Sequence, residues 1–148
     1  MEFWESGIAS FDGFITPDID ESRKLIFLDT DDELPYQLED NARENVLQIG
    51  RFKLSQSTFN AVKSKLKNLH TTSAQLIIID ELGLLEMHDK GFEPELSAFI
   101  EKFKTLENSK LLILVIRDTL LDAAIEKYKL ENAEVLSLGS FIDKFLAE

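Results

Sequence analysis

Two stretches of this chain carry a continuous run of apolar residues. Leu76 to Met87 reads LIIIDELGLLEM, four aliphatic residues that run into two adjacent acids, and Lys110 to Arg117 reads KLLILVIR. Short continuous apolar runs predict strands buried on both faces, the pattern of a parallel sheet covered by helices. Between them, Glu93 to Glu107 sets Leu96, Phe99, Ile100 and Phe103 at helical spacing and predicts the crossover helix. Upstream, the segment SQSTFNAVKSKLKNLH does the same with Phe59, Val62, Leu66 and Leu69. The last third repeats the theme. A helix is predicted from Asp118, with that residue as its acidic cap, then a strand over Ala133 to Leu138 and a terminal helix from Ser140.

The amino-terminal half has a shorter period. Phe11 to Pro17 and Arg23 to Asp29 read as strands separated by a polar turn, which predicts a β-hairpin. Asp29 to Glu44 is acidic, aperiodic and carries Pro35, so it reads as a loop or irregular helix and as the expected mobile region. Asn45 to Phe52 reads as one further strand. No repeat, low-complexity tract or linker interrupts residues 1–148, so a single α/β domain is expected, with a mostly parallel sheet flanked by helices and an N-terminal β-hairpin.

Composition narrows the chemistry. The 148 residues are 44% hydrophobic, enough for one continuous core, and contain no cysteine. Disulfides, thiolate-bound zinc, iron–sulfur clusters and cysteine nucleophiles are excluded, and a reducing, cytoplasmic setting is expected. No apolar run reaches the length of about 18 residues that a membrane span needs. The formal charge is −12, and the lysines and arginines are dispersed; such a field repels polyanions, so no nucleic acid is expected as a partner.

In open parallel sheets ligands sit beyond the carboxyl ends of the strands. Asp80, Glu81, Arg117 and Asp118 all fall there. An Asp that reaches a metal and a Glu that reaches a water would account for paired carboxylates at that position, as in Mg²⁺-nucleotide chemistry. Solvation of a strand end accounts for them equally well, and Asp118 is read first as a helix cap. His70 and His88 lack a second histidine at ligand spacing and are read as surface residues. Ser57 and Thr58 are read as caps. Glu86 is read either as a third ligand or as the anchor of the turn after the strand.

GFITPDI (Gly13 to Ile19), IGRF (Ile49 to Phe52) and LIIIDELGLLEM, in this order and spacing, resemble the THEP-type nucleoside-triphosphatases, P-loop proteins of the ASCE class. The resemblance extends from about Gly7 to about Val115, and Leu84 stands where the family commonly has proline. It implies a P-loop NTPase-like three-layer sandwich, with Asp80 as the Walker B aspartate that helps hold Mg²⁺ and Glu81 as the activator of the attacking water. It makes Arg51 a candidate contact for nucleotide or phosphate, beside Arg117 at the strand edge. ATP or GTP would be the ligand.

One departure is as informative as the match. The Walker A loop, G-x-x-x-x-G-K followed by Ser or Thr, cradles phosphates with its backbone N–H groups and its lysine. None of the six glycines in these 148 residues stands in such a motif. In the family the loop, its strand and its helix precede the segment matching GFITP, a unit of about thirty residues. The resemblance therefore implies that this unit lies outside these residues, with Phe3 to Ile8 matching the end of its helix. Its strand is central in the family. A rearranged sheet, a second copy in a homodimer, or a segment from elsewhere is then expected to cover the gap between the two apolar strands. Mg²⁺-dependent hydrolysis with an externally supplied loop is one expectation. A non-catalytic relative that serves as a binding or interaction module is the other.

Overall fold

The computed structural model describes residues 10–39, 45–106 and 109–146. The elements run β1 (Phe11–Ile15), β2 (Asp18–Ile19), β3 (Ser22–Phe27), β4 (Glu33–Pro35), β5 (Gln37–Leu38), β6 (Val46–Ile49), β7 (Phe52–Ser55), α1 (Gln56–Leu66), β8 (Leu76–Leu82), α2 (Leu84–Met87), α3 (Glu95–Lys104), β9 (Leu111–Ile116), α4 (Leu121–Tyr128) and α5 (Leu138–Phe141). Among these, a mixed sheet has the order β2-β3-β1-β8-β9, with β4 beside β3, and a small antiparallel sheet has the order β5-β7-β6. β1, β8 and β9 are parallel. The expected hairpin is β1 against β3, with Phe14 opposite Phe27.

The parallel strands put Phe14, Ile77 and Ile79 on one face, where they are fully buried. Against them pack Phe59 and Val62 of α1, Leu96, Phe99 and Ile100 of α3, and Ala124 and Tyr128 of α4. Phe92 joins the layers, stacked on Phe59 at 4.8 Å and edge-on to Phe14 at 5.1 Å between centroids, geometries that aromatic quadrupoles favour. Helices α1 and α3 thus bury the stripes that their periodicity predicted.

A partly buried ion pair fixes α1 to the sheet. Lys65 Nζ lies 2.8 Å from Asp12 Oδ1 and 2.8 Å from Asp29 Oδ1. Burial alone would raise the Asp12 pKa, but hydrogen bonds from Lys65, Thr72 and the Gly13 N–H outweigh it and hold this carboxyl below its ordinary range. A depressed carboxylate stabilises the fold above its unfolded pKa of about 4, and that contribution fades as pH falls through the native value. Lys65→Met keeps the apolar stem but strands Asp12, so we expect a loss of about 3 kcal/mol at pH 7. Denaturant titration should show the gap between variant and parent narrowing below pH 4.

Several expectations are corrected. Asn45 to Phe52 is not one strand but part of the hairpin β6–β7, because Gly50, at φ +53, turns the chain back. The acidic segment from Asp29 supplies β4 and β5 rather than only loop, since Leu34 pairs with Leu25 and Gln37 with Leu54; residues 40–44 lie outside the described set. Ser55, not Ser57 or Thr58, caps α1, its Oγ accepting from the Thr58 N–H. Asp118 opens a 3-10 turn without a capping hydrogen bond. Ala133 to Leu138 forms no strand, and α5 already begins at Leu138. His88 is exposed but His70 is half-buried. The reading of Phe3 to Ile8 as a helix end falls outside the described residues.

The two apolar strands also leave no gap between them. β8 and β9 pair directly from Leu76–Leu111 to Leu82–Ile116. The open position is instead the outer edge of β9, which among the described residues pairs only with β8. β9 is therefore not buried on both faces as predicted: Leu111 is 38% and Val115 39% exposed.

Candidate active site

The carboxyl ends of β1, β8 and β9 meet at one sheet edge, and there the sequence-predicted acids come together with Arg117. Asp80 pairs with Val115 and Leu82 with Ile116, so Glu81 is the extra residue of a β-bulge. A bulge re-aims side chains, and Glu81 is turned onto two guanidinium groups. Its Oε1 accepts from Arg117 Nη2 at 3.3 Å and from Arg23 Nη1 at 3.5 Å. Arg23 also pairs with Asp18, Nε to Oδ1 at 3.4 Å.

Asp80 is half-buried. Its pKa is raised, first by desolvation and then by the neighbouring Glu81 charge, while the Thr16 N–H and the Arg23 charge act in the opposite sense. A cation at Asp80 would relieve both raising effects. Among the described residues no three acids or histidines cluster as a closed metal cage. Mg²⁺ does not need one, since it keeps waters and phosphate oxygens around one or two carboxylates. The donor set at Asp80 and Glu81 fits that ion.

Glu86 is not at this edge as a ligand. It is 3% exposed, and its two oxygens accept from the Gly83 N–H at 2.8 Å and the Phe92 N–H at 3.1 Å. It is the anchor of the turn after β8. Gly91 is confined by it, because a β-carbon there would sit 2.1 Å from Glu86 Oε1. Burial pushes the Glu86 pKa up from 4.5 to about 6. For a raised carboxyl the stabilising contribution is complete below the unfolded pKa and is lost as pH rises through the native one. The shift corresponds to about 2 kcal/mol. Glu86→Gln should remove this component, so that stability measured by urea unfolding changes less between pH 4.5 and pH 7 than it does in the parent.

Arg51 lies on the β6–β7 turn, with its guanidinium 5.1 Å from the Phe52 ring centroid. Arg23 is the site residue that sequence reasoning missed. The rule for parallel strands points to their carboxyl ends, but β3 is antiparallel and brings its amino end to that edge. Pairing of Lys24 N–H with Pro17 C=O puts Arg23 just past the end of β1. The available signal was a basic residue directly after the hairpin turn.

A mixed sheet with a parallel core, covered by helices and bearing Asp–Glu at a strand end, defines an α/β protein of the P-loop NTPase-like class. The family model described as NTPase matches residues 4–140, and the chain belongs to that family. No curated protein and no solved structure matches it. No helix among the described residues is long and apolar enough to cross a membrane.

Proposed function

We propose that this chain carries the Walker B half of a nucleoside-triphosphatase site, which hydrolyses a nucleoside triphosphate such as ATP or GTP to the diphosphate and phosphate. The observation that supports this most is the joint placement of Asp80, Glu81 and Arg117 at one sheet edge in a chain of the NTPase family. Asp80 would hold Mg²⁺ with Glu81 nearby, and that ion supplies charge neutralisation for phosphate oxygens when bound. Glu81 is the general base, taking a proton from water. Arg117 faces the substrate from the end of β9, and Arg51 contacts nucleotide from its turn. The phosphates themselves need a backbone N–H nest and a lysine, which residues outside these 148 must supply. Adding such a strand, loop and helix by fusion and measuring Mg²⁺-dependent phosphate release tests the reading. No release above that of these 148 residues alone would overturn it.

The second reading is a non-catalytic interaction module. It is favoured by the open edge of β9, with Leu111 and Val115 exposed, since an unpaired apolar edge accepts a further strand. Persistence of that edge with no effect of Asp80 or Glu81 substitutions in the fusion would support it.

A further inference from the structure

Glu81 Oε1 is shared by two guanidinium groups at 3.3 and 3.5 Å. Both bonds are longer than the roughly 2.7–2.9 Å of well-formed charge-assisted pairs. Each guanidinium has five N–H donors and uses few of them here: Arg117 offers its Nη2 to Glu81 and is 61% exposed in its side chain, while Arg23 offers Nη1 to Glu81 and Nε to Asp18. Two like charges are drawn to one oxygen. That is the geometry of an oxyanion seat, and one carboxylate oxygen fills only part of it.

The two arginines differ in exposure. Arg23 lies within the β3 ladder, pairs with Asp18 and has a side chain 30% exposed, whereas Arg117 follows the end of β9 and its side chain is 61% exposed. Both reach Glu81 from opposite sides, Arg23 across the end of β1 and Arg117 from the neighbouring strand. A tetrahedral anion with several oxygens satisfies both forks at once, which a single carboxylate oxygen does not.

We propose that Arg23 and Arg117 form a binding seat for a phosphoryl oxyanion, and that in the resting protein the Glu81 carboxylate occupies this seat as an internal competitor. The inference rests on the reading of this edge as a triphosphatase site and adds to it a substrate-binding residue, Arg23, and a reason for the base to be held until substrate arrives. An incoming phosphoryl group takes over the guanidinium donors, and Glu81 is then free to receive a proton from water. Asp18, Asp80 and Asp118 also carry negative charge near the seat, so binding of a free anion is weak.

The probe is inorganic pyrophosphate, titrated into the 148-residue protein while the arginine Nε–Hε resonances are followed by NMR. We expect a dissociation constant of about a millimolar, on the scale of −4 kcal/mol, with Arg23 and Arg117 signals moving together. Glu81→Gln should tighten binding at least about threefold, because the competitor loses its charge. Arg23→Gln should weaken it about tenfold, the scale of one charge-assisted contact. Arg23→Lys should recover part of that loss, and thermal melts of each variant confirm folding. Unchanged or weaker binding in Glu81→Gln, or parent-like binding in Arg23→Gln, would overturn the seat. Neither result bears on hydrolysis, which the fusion measures separately: loss of turnover in Glu81→Gln there, without tighter pyrophosphate binding here, would leave the triphosphatase reading standing and remove the seat alone.

Discussion

Glu81→Gln is expected to cut turnover by roughly a hundredfold or more, with nucleotide affinity within a few-fold of the parent, once a phosphate-binding loop completes the site. The magnitude is that of removing a positioned general base. Glutamine keeps the size of the side chain and can still accept a hydrogen bond from Arg117 or Arg23, but it takes no proton from water. Asp80→Asn differs in kind. A neutral amide is a poorer ligand for a hard cation, so this variant should need more Mg²⁺ to reach half-maximal rate, and the excess should show in a metal titration. Steady-state phosphate release against Mg²⁺ and against nucleotide separates the two. Parent-like kinetics in both variants would mean that the acids only solvate the end of β8, and the hydrolytic reading of this edge would have to be given up.

Gly13→Ala should be among the most damaging single changes in the chain, with a loss of about 4 kcal/mol or more. Gly13 lies within β1 opposite Ile78 of β8, yet its φ is +97, a conformation that disfavours every side chain. A β-carbon there would stand 1.9 Å from the Ile78 carbonyl oxygen and 2.9 Å from its carbonyl carbon. These are backbone atoms of the neighbouring strand, so relief requires β1 and β8 to separate. That would disturb Asp12 and Phe14 on either side, and with them the Lys65 pair and the aromatic core. Domains of this kind are stable by about 5–15 kcal/mol, and the corresponding fall in melting temperature is about 10 °C or more. Gly50→Ala is the internal control. Its φ of +53 is also left-handed, but nothing lies within 4 Å of the added carbon, so a cost of about 1 kcal/mol is expected. Equal losses at the two positions would show that backbone conformation alone, and not the contact with Ile78, sets the effect.

Periodicity carried much of the architecture. The aliphatic run of β8 could be read because residues buried in a sheet need no alternation, β9 was a strand although its outer positions Leu111 and Val115 are exposed, and α1 and α3 could be read because one face of each meets the core. Phe11 to Pro17 and Arg23 to Asp29 gave a hairpin because turn formers separate two β-prone runs. The failures were local or long-range in origin. Gly50 splits one predicted strand through its left-handed conformation, which composition alone does not reveal. Leu34 and Gln37 become strand residues only through partners at Leu25 and Leu54. Val135 and Leu138 have the residue types of a strand but no neighbouring strand, and they are 55% and 76% exposed.

The same division runs through the site. The sequence alone determined that Asp80 and Glu81 end a buried strand and that Arg117 ends the next, because a parallel sheet sends successive strand ends to one edge. It also determined that no thiol chemistry is available and that no G-x-x-x-x-G-K motif followed by Ser or Thr stands in these residues. Only the tertiary structure decided that β8 and β9 are direct neighbours, that Glu86 is bonded to its own turn, and that Arg23 faces Glu81 from 58 residues away. The first and the last depend on which strands pair and in which direction, and the second on how the turn after β8 closes around Glu86. Strand order and direction are set by the packing of the whole core, and no local window of the chain encodes them.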